Sequence, residues 1–214
     1  MTFVQKYRSL FISDLHLGSH NCKVDRLLRF LRQTHAERIY LVGDIIESHH
    51  LKYWPKHHHS VVRLLVERSL RGVELIYIPG NHDALLRHHY GVFGNLLIYK
   101  NYSHLCVDGS ILFLTHGDEV DFLPNYLWLW FITLFEKITR LSLWKFCRKV
   151  MPKVIEKHTQ HFENKMRALG HDNILCGHIH YPKLSKGYYN CGDFIEHCTA
   201  IVEHYDGKFE LLRG

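Results

Sequence analysis

Five short polar motifs, each closing an apolar run, constrain this chain more than any other feature of it. They are Asp14-Leu15-His16, Gly43-Asp44, Gly80-Asn81-His82-Asp83, His116-Gly117-Asp118 and Gly177-His178-Ile179-His180. The runs before them, at 7–13, 38–42, 75–78, 111–115 and 173–176, are short and mostly apolar. That is the pattern of strands buried on both faces. Val24, Leu27, Leu28 and Leu31 recur at helical spacing, and 61–68 predicts a second helix. Strands alternating with helices predict an α/β fold. In open α/β sheets, ligands bind beyond the carboxyl ends of the strands. Every motif falls at such an end, so five loops are placed to converge on one edge. After His180 the chain reads as strands at 188–190, 199–205 and 208–212, with Asp206-Gly207 as a hairpin turn.

The Asp, Asn and His side chains of these motifs are of the kind that hold two divalent cations side by side. Such a pair neutralises charge on a phosphoryl group and activates water at neutral pH. Imidazole with carboxylate suits Mn, Fe or Zn better than Ca. A formal net charge of +6 fits phosphorylated substrates, nucleic acid or an anionic membrane without choosing among them. No nucleic-acid-binding motif is present, so nucleic acid is not the expected partner. The six cysteines form no C-x-x-C pair, which excludes a zinc ribbon or a thioredoxin-type site. The first residues enter a strand without a signal-peptide layout, which predicts a cytoplasmic protein with free thiols. His57-His58-His59 and His88-His89 sit in polar stretches and read as solvated residues.

The segment 121–169 breaks the alternation within what otherwise reads as one domain, 1–214. Residues 126–135 are nearly all apolar or aromatic, yet too few to span a bilayer. Residues 136–153 interleave Lys and Arg with Ile, Leu, Trp and Phe. Two readings of this insert stand. It is a helical cap that lies on a membrane or grips acyl chains, or it is a core helix pair with a basic outer face.

The motif order D-x-H, G-D, G-N-H-D, H-G-D and G-H-x-H resembles the calcineurin-like metallophosphoesterase superfamily. The match frames Asp14 to His180, with no ligand position missing. The resemblance implies a four-layer αββα sandwich with two metal ions at one end, manganese being favoured. It assigns Asp14, His16, Asp44 and His180 to one ion and Asp44, Asn81, His116 and His178 to the other, with Asp44 bridging. His82 is then the candidate general acid or transition-state stabiliser. Asp83 is expected either to orient His82 or to serve as a turn or cap residue. Asp118 is expected to fix a ligand histidine or to shape a turn.

Longer stretches look like the bacterial UDP-2,3-diacylglucosamine diphosphatase group. They are Phe11-Ile12-Ser13-Asp14-Leu15-His16-Leu17-Gly18, Tyr40-Leu41-Val42-Gly43-Asp44-Ile45, Tyr77-Ile78-Pro79-Gly80-Asn81-His82-Asp83 and Asn190-Cys191-Gly192-Asp193. That group releases UMP and a diacylglucosamine phosphate in lipid A synthesis, and its substrate is a lipid nucleotide. It implies peripheral contact with the inner membrane, here through 126–153. The chain departs at His82, where well-established members carry Arg. A phosphodiesterase or phosphatase for nucleotides or other small phosphate esters is the alternative. A non-catalytic binding protein on this scaffold is disfavoured, because such proteins lose ligands.

Overall fold

The computed structural model describes residues 5–48, 54–120 and 152–214. Among these residues, three α-helices and twelve strands follow one another in the order β1(Gln5–Ile12), α1(Val24–Gln33), β2(Thr34–Val42), α2(His58–Leu70), β3(Glu74–Ile78), β4(Gly91–Phe93), β5(Leu96–Ile98), β6(Tyr102–Leu105), β7(Ile111–Leu114), α3(Pro152–Ala168), β8(Ile174–Cys176), β9(Lys183–Ser185), β10(Tyr188–Asn190), β11(Thr199–Glu203) and β12(Phe209–Arg213). One sheet runs β12-β11-β1-β2-β3-β5-β4 and the other β6-β7-β8-β10-β9. Strands β1, β2, β3 and β5 are mutually parallel, as are β7, β8 and β10. Parallel order brings the carboxyl ends in each sheet to the same edge.

Period-two alternation divides the apolar side chains among three cores. Leu10, Ile12, Ile39, Leu41, Leu75 and Tyr77 face α1 and α2, where Leu27, Leu31, Val61 and Leu65 meet them. The intervening Phe11, Tyr40, Val42, Ile76 and Ile78 face the other sheet and pack on Leu112, Leu114 and Leu175. Phe113, Ile174 and Cys176 turn outward under Phe162 and Met166 of α3. The result is a four-layer αββα sandwich. Burying both faces of each sheet explains why the strands read as unbroken apolar runs.

The candidate cap, 121–169, divides at α3. Residues 121–151 lie outside the described residues, and with them most of the 126–153 segment expected to meet a membrane. Residues 152–168 form α3, the outer layer of the second sheet. Among the described residues, no helix is long and apolar enough to cross a membrane. One polar network crosses the inter-sheet core. Glu203 receives hydrogen bonds from Arg8 (2.8 Å), Ser9 (3.1 Å) and the Val107 amide (3.0 Å) and sits 2.8 Å from His104 Nε2. His104 Nδ1 is in turn 2.7 Å from the Tyr40 hydroxyl. His58 corrects the solvated reading of the histidine cluster. It is buried, and its Nδ1 accepts the Gly18 amide at 2.8 Å.

Candidate metal centre

The five motif loops meet at the carboxyl edge shared by the two sheets. Backbone hydrogen bonds lace them together: Asp14 N donates to Gly43 O (3.0 Å), His16 N to Asp44 O (2.9 Å) and Gly177 N to His116 O (3.1 Å). Asp14 Oδ2 accepts the His178 amide at 2.9 Å, joining the first sheet to the second. Asp14, His16, Asp44, His178 and His180 all adopt left-handed backbone, with φ between +47° and +66°. This conformation costs an L-residue about 1–3 kcal/mol and persists where surroundings over-determine it, commonly at functional sites. It is concentrated here on five expected metal ligands.

The donor atoms gather in two adjacent groups. Asp14, His16 and His180 bring one donor each within 4.8 Å of one another, as do Asp44, His116 and His178. Asp14 Oδ1 lies 3.1 Å from His180 Nε2, and Asp44 Oδ2 lies 3.3 Å from His116 Nε2. His16 Nε2 stands 3.8 Å from Asp44 Oδ2, so Asp44 faces both groups. Asp14 Oδ1, Asn81 Oδ1 and His116 Nε2 are buried without a hydrogen-bond partner. Buried polar atoms without a partner are costly, and for Asp14 and His116, which belong to the two donor groups, a cation would supply one. His116 Nδ1 sits 3.1 Å from Val42 O, the contact that leaves Nε2 as the free ligand atom. The residues present therefore fit two divalent ions.

Charge follows the same geometry. Burial pushes the Asp44 carboxyl up, but His116, then His82 and His16, outweigh it and hold it well below the usual carboxylate range. Burial likewise pushes His116 down, and Asp44 overcomes it, raising the imidazole to about 10. A bound cation replaces those protons as the partner of the carboxylates.

His82 borders this cluster, with Nε2 4.0 Å from Asp44 Oδ2. The carboxylate on its ring is one that motif reading missed, Glu47. Its oxygens lie 2.8 and 3.0 Å from His82 Nδ1, and Oε2 lies 3.1 Å from His16 Nδ1. The available signal was an acid three residues beyond Asp44 in the same loop. Asp83, expected to orient His82 or to shape a turn, ties two loops together. Its buried carboxylate accepts the amides of Ile45 (3.2 Å), Ile46 (2.7 Å) and Gly80 (2.9 Å) and the Tyr77 hydroxyl (2.8 Å).

Asp118 pairs with Arg87 at 2.6 Å, and Arg87 also donates to Gly80 O at 2.6 Å, bracing the Asn81 loop against the His116 loop. Asn190 donates to Gly177 O at 2.7 Å, and Asp193 Oδ2 lies 4.0 Å from His180 Nδ1. Cys191 is fully buried, and burial pushes its thiol well up, which disqualifies it as a nucleophile.

Residues 7–182 match the family model for calcineurin-like phosphoesterases. Among curated proteins, the chain is 27% identical over 203 residues to a UDP-2,3-diacylglucosamine hydrolase of Neisseria gonorrhoeae, covering 80% of this chain and 82% of the relative. It is 25% identical over 201 residues to the protein of that name from Aliivibrio fischeri, covering 81% of each. Two solved structures align over most of the chain with a TM-score of 0.44 each. They are the phosphoesterase Yfce of E. coli (18% identity; 95% of this chain, 97% of that one) and the Pseudomonas putida nuclease MPE (13%; 96% and 88%).

Proposed function

The chain belongs to the calcineurin-like phosphoesterase family, and from that premise we infer that it hydrolyses UDP-2,3-diacylglucosamine to UMP and 2,3-diacylglucosamine 1-phosphate. The observation that carries this reading is the intact ligand set on one edge, together with relatives named for that substrate over four-fifths of the chain. Asp14, His16, Asp44 and His180 would hold one divalent ion and Asp44, Asn81, His116 and His178 the other, manganese being the preferred metal. Bound there, two cations supply charge neutralisation at phosphorus and an activated water.

The chain's own residues do the rest. Asp44 stands between the two groups of donors. Asn81 presents a carboxamide oxygen rather than a charge. His82, whose Nδ1 faces Glu47, would act on a phosphoryl oxygen or the leaving group. Asp83 holds the Asn81 and Asp44 loops in register. We place the enzyme in the cytoplasm as one domain, 1–214, drawing its substrate from the inner membrane through 126–153.

The test is Mn-supported hydrolysis in detergent with products identified. UMP release that disappears in Asn81→Ala is the expected result. Failure on this substrate with an aryl phosphodiester still hydrolysed would refute the substrate and keep the chemistry. His82, in place of Arg, favours the second reading, a phosphodiesterase or phosphatase for nucleotides or other small phosphate esters. Replacing Trp128, Trp130 and Phe131 together by Ser separates the two. Selective loss on the lipid substrate supports the first, and equal loss on a soluble ester counts against it.

A further inference from the structure

A further set of metal donors lies apart from the five motif loops. His104, Cys106 and Glu203 bring one donor atom each within 4.8 Å of one another, and all three residues are buried. The donors are a nitrogen, a sulfur and an oxygen. They come from both sheets: His104 from β6, Cys106 from the position just after it, and Glu203 from the end of β11. Glu203 Oε2 stands 2.8 Å from His104 Nε2. The motif cluster shows the same approach of a carboxylate oxygen to an imidazole Nε2, at 3.1 Å for Asp14 with His180 and 3.3 Å for Asp44 with His116. The far side of the ring is backed in the same way. His104 Nδ1 lies 2.7 Å from the Tyr40 hydroxyl, as His116 Nδ1 lies 3.1 Å from Val42 O. Arg8 donates to both Glu203 oxygens at 2.8 Å, Ser9 to Oε2 at 3.1 Å and the Val107 amide to Oε1 at 3.0 Å, so the carboxylate is fixed in place.

Cys106 also lines a cavity of about 560 Å³, which Leu112, Asn173 and Gly187 border at the amino ends of β7, β8 and β10. The motif cluster occupies the carboxyl ends, so the two sets of donors lie at opposite edges of the sandwich. We propose that His104, Cys106 and Glu203 form a second metal site, for a thiophilic divalent cation of which Zn2+ is the fitting example, reached through this cavity. Thiolate, imidazole and carboxylate are the ligands zinc takes, and three of them leave a tetrahedral ion one open position. The sulfur sets this site apart from the motif cluster, because soft thiolate selects zinc over manganese or magnesium. Binding exchanges protons for the ion. Burial pushes the free Cys106 thiol up, so without a metal it stays protonated, and on binding that proton leaves to solvent. The imidazole gives Nε2 to the ion and keeps its proton on Nδ1, toward the Tyr40 oxygen.

The full chain, stripped by a chelator and titrated with Co2+ as a coloured stand-in for zinc, tests this. The motif cluster has no sulfur donor, so a thiolate-to-cobalt charge-transfer band in the near ultraviolet separates the two sites. Wild type is expected to show the band, Zn2+ to abolish it and Mn2+ to leave it. Cys106→Ser is expected to lack the band and to retain about one zinc per chain fewer than wild type after gel filtration. His104→Asn keeps a polar group toward Tyr40 and removes Nε2. It is expected to weaken cobalt binding, followed by the band, by more than about 10-fold.

Absence of the band in wild type at saturating cobalt overturns the proposal. So does a band that persists in Cys106→Ser, which would place the sulfur elsewhere. Unchanged cobalt affinity in His104→Asn does the same, because it would reduce the site to a single thiol. If Cys106→Ser does not fold, Cys106→Ala carries the same criteria, and if His104→Asn does not fold, the wild-type and Cys106 measurements decide. No substrate enters the measurement, so the site stands or falls separately from the proposed hydrolysis.

Discussion

Gly80 is the sharpest lever on the metal centre, and Gly80→Ala is the perturbation to make. Gly80 has an ordinary backbone conformation, so the substitution strains no dihedral, and its whole effect is steric. A Cβ there would lie 2.5 Å from the Asp44 backbone nitrogen and 2.7 Å from His116 Nε2, and would collide with Asp44 Oδ1. Ordinary van der Waals contact begins at 3.4 Å, so Asp44 and His116 must each retreat by roughly 1 Å. Neither has room. Asp44 N–C–O is pinned through His16 N on its carbonyl, its Oδ1 accepts the His82 amide at 2.8 Å, and His116 is fully enclosed.

Overpacking of this kind costs about 1–3 kcal/mol of stability. Displacing a reacting group by 1 Å costs on the order of 100-fold in rate. We expect Gly80→Ala to fold, melt a few degrees lower, bind less than its full complement of metal, and lose about 100-fold in kcat on an aryl phosphodiester. Metal per chain after gel filtration, read by plasma mass spectrometry beside the rate, is the assay. Two metals bound with wild-type kcat would refute the reasoning, because it would mean that Asp44 and His116 do not need the positions they occupy.

Asp83→Asn leaves buried amide donors facing an NH2 group, so it should destabilise by about 1–3 kcal/mol in urea unfolding. Full stability with lost activity would assign Asp83 to the chemistry instead. Chelation should abolish hydrolysis and lower the melting temperature, and manganese at 100 times its Kd should restore about 2.7 kcal/mol. A melting temperature indifferent to metal would contradict a fold that strains five ligands around it. Glu203 sets an acid limit. Burial pushes its carboxyl up, but the His104 hydrogen bond, the Val107 amide and Arg8 pull it below its ordinary value. A depressed folded value stabilises above the unfolded pKa of about 4.3, and that stability is lost as pH falls through the folded value. Glu203→Gln should therefore cost about 3 kcal/mol at pH 7, and the gap to wild type should close below about pH 4. A gap independent of pH would place the loss in packing rather than charge.

The candidate ligands were legible because each sits in a short motif at the end of an apolar run. Local periodicity identifies the strand, and the residue after its last apolar position is already at the edge where loops meet. The strands β1, β2, β3, β7, β8 and β10 to β12 and the helices α1 and α2 were visible for the same reason. The three- and four-residue strands β4, β5, β6 and β9 were not, since so few residues carry no period, and pairing with a neighbour defines them.

Other facts lay beyond local pattern entirely. His58 sits in a polar histidine run, yet it is buried and takes the amide of Gly18, forty positions earlier. Asp83 follows His82 directly, yet two of its four partners, the amides of Ile45 and Ile46, come from the loop after β2. Glu47 looks like any loop acid until the folds of three segments bring His16 and His82 to its two oxygens. The sequence by itself therefore determined which atoms could bind metal, because that depends on residue type and strand ends. Tertiary structure alone decided which groups orient them, because an orienting hydrogen bond depends on distance in space, and period and motif report only distance along the chain.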